Sequence, residues 1–473
     1  MQHPSVENAL VWFRNDLRLE DNEPLVRACE AAEQVWLVYV FDPRQWRTDP
    51  FAHRKTGPFR TRFLVEAVTD LRQQLEARNA SLLVRTGLPE EVLPELQESL
   101  GFEAIYASVE TTFEEQAVEN QVRNALPEVA FHGFHTATLF HPEDLPFETE
   151  RMPDVFTAFR KKCEKYVSVR EPLPVPESIP AGPLTVKEGS IPEPSSLCPE
   201  SVPEEDRGVL PFRGGASAAQ ARLQHYFWDA NLLRSYKYTR NGLLGADYSS
   251  KFSVWLANGS LSPRAIYQEV KRYEQERVKN VSTYWLVFEL IWRDFFRFHA
   301  AKYGNAIFWK RGIGQEVPSL RFDPETFETW TQGRTGIPFI DANMQELHRT
   351  GFMSNRGRQN VASFLVHDLK IDWRYGASWF ESQLIDYDVC SNWANWNYVA
   401  GVGTDPRSDR YFHVIRQAEK YDGKGEYAKH WLPELEALST EEVHRPYALS
   451  AEKKAFYALP DHYRDPLYVS PRW

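Results

Sequence analysis

Apolar residues along this chain follow two rhythms. Near the N-terminus, ALVWFRND (Ala9 to Asp16) and QVWLVYVFD (Gln34 to Asp42) are short unbroken runs of branched and aromatic residues, the pattern of strands buried on both faces. SLLVRTG (Ser81 to Gly87), FEAIYASVE (Phe102 to Glu110) and VAFHGFH (Val129 to His135) continue the series. Helical patterns fall between them, the longest being GPFRTRFLVEAVTDLRQQLEARN, Gly57 to Asn79. Residues 7–135 therefore predict an α/β domain on a doubly wound parallel sheet. Ligands of such sheets sit beyond the carboxyl ends of the strands, and Asp42 and Glu110 stand at two of those ends. No G-x-G-x-x-G follows the first strand, which disfavours a dinucleotide site there.

The rhythm then changes. MPDVFTAFRKKCEKY (Met152 to Tyr166) predicts one helix, opened by Pro153 and Asp154. Ten of the 31 prolines fall between Glu171 and Gly215, so 136–215 reads as a connector laid across the surface. Every pattern from there to Leu435 is helical, which makes 216–435 an all-α domain. Residues 436–473 form a tail whose Tyr447, Tyr457 and Tyr463 are too apolar for a disordered segment; packing onto the body is expected.

Composition sharpens this picture in three places. Tryptophan is abundant, 15 in 473 residues, which points to large aromatic cores or an aromatic ligand. The four cysteines, Cys29, Cys163, Cys198 and Cys390, show neither C-x-x-C nor a zinc spacing, so a reducing, cytoplasmic setting is expected. No apolar run reaches the roughly 20 residues of a membrane span, and the strand at Asn8 to Phe13 leaves no room for a leader before it. A net charge of -11 argues at first against nucleic acid. Arg207 to His430, however, carries 30 Lys and Arg against 23 Asp and Glu, enough for a basic face.

Candidate chemistry concentrates in LIDYDVCSNWANWNYVAGVG, Leu384 to Gly403. It sets Asp386 and Asp388 among Asn392, Asn395, Trp393, Trp396 and Tyr398. Carboxylates and amides among so many rings need a polar partner when buried; the N–H and C=O edge of a flavin ring is one, and an internal salt bridge in an aromatic core is the alternative. Arg356 and Arg358 precede this stretch, and Arg358 is a candidate partner for Asp386. Phe364, Leu365, Leu369 and Trp373 lie at helix-like spacing within Ala362 to Phe380. A hydroxyl-rich turn, Asp247 to Ser253, opens a helix and offers Ser249, Ser250 and Lys251 either as a phosphate site or merely as a cap. In WLVFELIWRDFFRFHA (Trp285 to Ala300), Glu289 and Arg293 share a face with Trp292 and Phe296.

Taken in order, these segments resemble the photolyase and cryptochrome flavoprotein family. TGPFRTRFL (Thr56 to Leu64), MPDVFTAFRK (Met152 to Lys161), YTRNGLLGADYSSKFS (Tyr238 to Ser253) and NWANWNYVAGVGTDPRSDRYF (Asn392 to Phe412) are similar to the DASH class of cryptochromes. The resemblance implies an α/β antenna domain, a connector and a helical domain holding FAD. It places Tyr236, Ser249, Ser250, Lys251, Phe252 and Ser253 near the phosphates of FAD. Arg293, Arg358, Asp386, Asp388 and Asn392 fall around its ring and ribityl chain, with Asn392 beside the reactive ring nitrogen. Glu289, Trp292, Asn355 and Arg356 match contacts to a flipped-out pyrimidine dimer, and Glu110 matches the acid that holds a folate antenna, 5,10-methenyltetrahydrofolate.

Two positions depart from the wider family. Tyr398 stands where the main group of dimer photolyases carries a lesion-stacking tryptophan, as in other DASH members. The electron relay of three tryptophans is matched by Trp396 and Trp373, but its outer position falls near Leu320, leaving Trp309 or Trp330 as substitutes. The implied activity is light-dependent repair of cyclobutane pyrimidine dimers by a monomer, preferring single-stranded DNA, which spares much of the cost of extruding the lesion. The alternative is a blue-light photoreceptor that signals through DNA or a protein partner and repairs little.

Overall fold

A computed structural model describes residues 6–404 and 410–473. The 405–409 portion of the Asn392 to Phe412 motif lies outside the described residues. Five parallel strands, β1 (Val6–Phe13), β2 (Ala32–Phe41), β3 (Leu82–Thr86), β4 (Ala104–Ser108) and β5 (Ala130–Phe134), are ordered β3-β2-β1-β4-β5. β1 runs in register with β2 from Val6 opposite Ala32 to Phe13 opposite Tyr39, and with β4 from Ala9 opposite Ala104.

Alternation along each strand explains the two-sided burial. Ala9, Val11 and Phe13 of β1 pack with Leu25 and Ala28 of α1 (Glu23–Ala31) and Val68 and Leu71 of α2 (Pro58–Glu76). Leu10 and Trp12 face the other way, onto Leu93 and Leu96 of α3 (Pro89–Leu100) and Val122 of α4 (Phe113–Ala125). Helices thus cover both faces, and the sheet is doubly wound as expected.

Past β5 the described residues hold helices and loops, apart from isolated bridges of Ala181 to Val35 and of Arg321 to Ile371. The two parts of the molecule are locked by buried charge. Arg264 and Asp21, 4 % and 0 % exposed at their side chains, pair at 2.8 Å across the junction. Asp294 accepts the N–H groups of Leu139 and Phe140 at 2.9 and 2.8 Å. Such pairs fix register between domains more than they add stability. Among the described residues no helix is long and apolar enough to cross a membrane.

Four local expectations are corrected. The proline-rich connector does more than lie on the surface: Val84 N–H donates to the Glu188 carbonyl at 2.7 Å, covering the exposed edge of β3, and Val35 bonds Pro180 at 2.8 Å. The helix after Met152 begins only at Phe156, because Asp154 gives its carboxylate to Lys302 and Tyr303 instead of capping. Ala362 to Phe380 is two elements, a π turn over Phe364–Asp368 and a helix over Trp373–Gln383, parted at Lys370 with φ of 58°. The helix opened by the hydroxyl-rich turn, Ser253–Ala257, has five residues, too few to build an anion site from aligned peptide dipoles. The tail packs as expected: Leu459 and Tyr463 are buried, and Leu467 N–H bonds the Thr335 carbonyl at 2.8 Å.

Candidate functional site

Three helices, Asn355–Ser363, Trp373–Gln383 and Val389–Val399, enclose a cavity of about 100 Å³. Arg358, Asp386, Asp388, Asn392 and Trp396 line it, together with Asn355 and Tyr398. The expected pairing forms: Arg358 Nη2 lies 2.9 Å from each oxygen of Asp386, and its Nε donates to the Met353 carbonyl. Asp388 caps the last helix, its Oδ1 accepting the Ser391 N–H at 2.7 Å. Burial pushes the Asp388 carboxyl up, but the Arg297 and Arg293 guanidiniums, 3.9 and 4.0 Å away, outweigh it, and the group lies below its ordinary value. Asn392 donates its amide N–H to the Ala377 carbonyl at 3.0 Å.

Arg293 reaches this cavity only through Asp388. Its guanidinium bonds the Ala137 and Leu256 carbonyls, so it acts as a strut between the domains. Arg297, one turn further on, was not singled out in the sequence, although Glu289, Arg293 and Arg297 form one i,i+4 series.

The hydroxyl-rich loop is held by a residue that sequence reasoning missed. Arg222 donates to the carbonyls of Ala246, Ser249 and Ser250, each at 3.0 Å, and to Asp247 Oδ1 at 2.8 Å. Nothing in the amphipathic pattern of its helix distinguishes it. Lys251 is buried with φ of 63°; its ammonium bonds Ser249 Oγ at 3.1 Å, and burial holds its pKa well below the ordinary value. Close by, Tyr248 Oη and Glu346 Oε1 are buried without partners. A lysine and orphaned polar atoms taken out of water fit an anionic, hydrogen-bonding ligand. Lys251 and Arg358 each lie 5.6 Å from the Phe352 ring, so the loop and the cavity adjoin. Phe252 is buried and Ser253 opens the short helix. Tyr236 is buried, and burial followed by Glu289 raises its phenol.

The expected substrate residues gather at one side. Glu289 pairs with Arg240, not with Arg293; it is 29 % exposed at its side chain, with burial raising its carboxyl and Arg240, then Trp285, opposing it. Trp292 meets Tyr398 edge-on at 6.0 Å and stacks on Phe156 at 3.5 Å. Arg356 bonds Gln359 and Asn241 and lies 4.6 Å over the Tyr421 ring. For the relay, Trp396 packs on Gly376, where an added Cβ would sit 2.3 Å from its ring. The Trp373 indole donates to the Lys310 carbonyl at 3.0 Å; the neighbouring Trp309 is 47 % exposed, whereas Trp330 is fully buried. Trp393, absent from the expected set, lies 5.8 Å from Trp373.

A second cavity, of about 500 Å³, opens where the strand ends meet the helical part. Glu110 stands behind its wall: Oε1 accepts from Asn15 at 3.0 Å and Oε2 from Arg297 at 3.2 Å. Asp42 and Glu115 line it directly, while Tyr387 and Asp388 line both cavities.

With this geometry in hand, the comparisons are specific. Residues 9–177 match the DNA photolyase family and residues 285–470 the FAD binding domain of DNA photolyase. The chain belongs to the photolyase and cryptochrome family. Within it the relatives are cryptochromes DASH: the Gloeobacter violaceus protein is 52% identical over 456 residues, 96% of this chain and 91% of its own length. That of Xenopus laevis is 48% identical, covering 98% of this chain and 90% of its own. The crystal structure of the Synechocystis cryptochrome superposes with a TM-score of 0.93 at 50% identity, covering 97% of this chain and 95% of that one.

Proposed function

We propose that this protein is a light-dependent lyase of the DASH type that repairs cyclobutane pyrimidine dimers, preferentially in single-stranded DNA, as a cytoplasmic monomer. The observation that carries this reading is one juxtaposition: Asn355 and Tyr398 line the same cavity as Arg358, Asp386, Asp388 and Asn392, with Trp292 edge-on to Tyr398. A reduced FAD held there would supply light-driven one-electron chemistry for splitting the dimer. The protein's part is position and electrostatics.

Arg358 and Asp386 hold each other in place beside the ring site, and Asn392 stands next to them. Arg222 shapes the loop from which Ser249, Ser250 and Lys251 would hold the phosphates. Asp388, kept ionised by Arg297 and Arg293, would accept an N–H from a flavin edge. Glu289, its carboxyl raised, offers a hydrogen bond or proton to a pyrimidine carbonyl. Trp396 and Trp373, ending at the exposed Trp309, form the relay. A folate, 5,10-methenyltetrahydrofolate, would occupy the larger cavity, with Glu110 behind its wall holding Asn15 and Arg297, which line it.

The test is repair of a thymine dimer in a single-stranded oligonucleotide and in the matching duplex, under blue light with the flavin kept reduced. Single-strand repair well above duplex repair is expected. No light-dependent repair of either, with FAD bound and reduced, would establish the photoreceptor alternative.

A further inference from the structure

The π turn Phe364–Asp368 continues the Asn355–Ser363 helix, and one wall of the flavin-side cavity hangs from it. His367 Nε2 lies 2.9 Å from the carbonyl of Val399, next to Tyr398. Ser363 Oγ accepts the Phe412 N–H at 2.9 Å, and Asp368 Oδ1 lies 3.2 Å from the Tyr411 hydroxyl. π turns redirect side chains within a helix and recur at functional sites. This one turns His367 and Asp368, with Ser363 just before it, toward the two chain segments that carry Tyr398 and Arg410.

The tail grips the same tyrosine from the other side. The Tyr411 hydroxyl accepts the Trp473 indole N–H at 2.7 Å and lies 3.3 Å from Ser470 Oγ. Arg472 stands 4.6 Å over the Tyr411 ring, while the Trp473 ring stacks on Phe364 at 6.1 Å. One residue before Tyr411, Arg410 lies 3.8 Å over the Tyr398 ring and donates to its hydroxyl. Arg410 and Tyr398 both line the cavity.

We propose that Tyr411 is a positioning residue, clamped between the π turn and residues 470–473, that sets the Tyr398–Arg410 wall for substrate. This rests on the reading that the wall faces a lesion. Its consequence is selective. Ordering side chains during binding weakens affinity, and a clamp that orders the wall beforehand removes that cost from substrate binding. The hydrogen bonds of Arg358, to Asp386 and the Met353 carbonyl, do not pass through Tyr411.

The experiment uses the full FAD-loaded chain carrying Trp473→Ala, and separately Tyr411→Phe. Flavin content, backbone hydrogen exchange, and affinity for a single-stranded oligonucleotide carrying one thymine dimer are measured. Unchanged flavin content, faster exchange confined to peptides covering 396–400 and 410–414, and a roughly fivefold weaker Kd with the saturating repair rate retained are expected. Unchanged exchange in those peptides overturns the clamp, whatever happens to repair. Equal losses of flavin and affinity also overturn it, because the tail would then be a general structural support. Faster exchange in a protein whose wild type binds no lesion keeps the clamp and removes the substrate reading beneath it.

Discussion

The two cavities share a wall at Tyr387 and Asp388 yet are built in opposite ways. The smaller is set by side chains from one continuous region, Asn355 to Tyr398, with Arg410 added, and its central charges are paired before any ligand arrives. The larger is assembled from strand ends, α2, the start of α4 and the helical part, and its charges pair across its mouth, Glu114 with Arg47 at 2.7 Å and Arg44 with Glu90 at 2.8 Å. A ligand entering the first meets a charge pair carried by one stretch of chain; one entering the second meets groups held on several separate elements. Preorganisation of this kind lowers the ordering cost of binding, so the smaller cavity defines its ligand more narrowly than the larger.

The largest effect is expected where a pair is broken. Arg358→Ala leaves Asp386, 3 % exposed at its side chain, as an uncompensated buried charge; losses of this kind reach about 3–5 kcal/mol. Purified protein should lose nearly all of its flavin absorbance and melt earlier. Retained flavin at wild-type level would show that the two cavities are not so different in preorganisation.

Next comes a pH effect on the flavin side. Burial pushes the Glu346 carboxyl from 4.5 up to about 7, against the opposing pull of Tyr427, Lys251 and Arg358. Its folded form therefore keeps a proton that the unfolded chain has lost. The stability it contributes is full below pH 4.5 and is lost as pH rises to about 7. In denaturant titrations across that window, Glu346→Gln should flatten the fall by roughly 3 kcal/mol.

The smallest effect falls on the larger cavity. Glu110→Gln should abolish near-ultraviolet antenna absorbance, with flavin content unchanged, in protein refilled with folate. Flavin and antenna falling together would mean that Arg297, which touches Glu110 and faces Asp388, makes the two cavities one site.

What could be read from the sequence follows the same division. Strands buried on both faces announce themselves as unbroken apolar runs, as β1, β2 and β4 do, while β5, more exposed at the sheet edge, was read as the end of the series. The smaller cavity was legible because Asp386, Asp388, Asn392 and Trp396 are close in sequence and share one loop and helix. The run Ala362 to Phe380 misled because a π turn and the break at Lys370 preserve apolar spacing while dividing the helix. Arg222 acts through three backbone carbonyls, which carry no sequence signal. The connector joins β2 and β3 through its own backbone, met by strand backbone and by the Arg85 side chain, so composition marked it as a linker and could not show what it covers.

The most direct test of the repair reading is Glu289→Ala, with repair rate and flavin content measured on the same preparation. Glu289 stands outside both cavities and pairs with Arg240, so a markedly slower repair of single-stranded dimer with flavin content nearly unchanged is predicted. Equal loss of repair and flavin would contradict the account, since Glu289 would then support the fold and not the substrate.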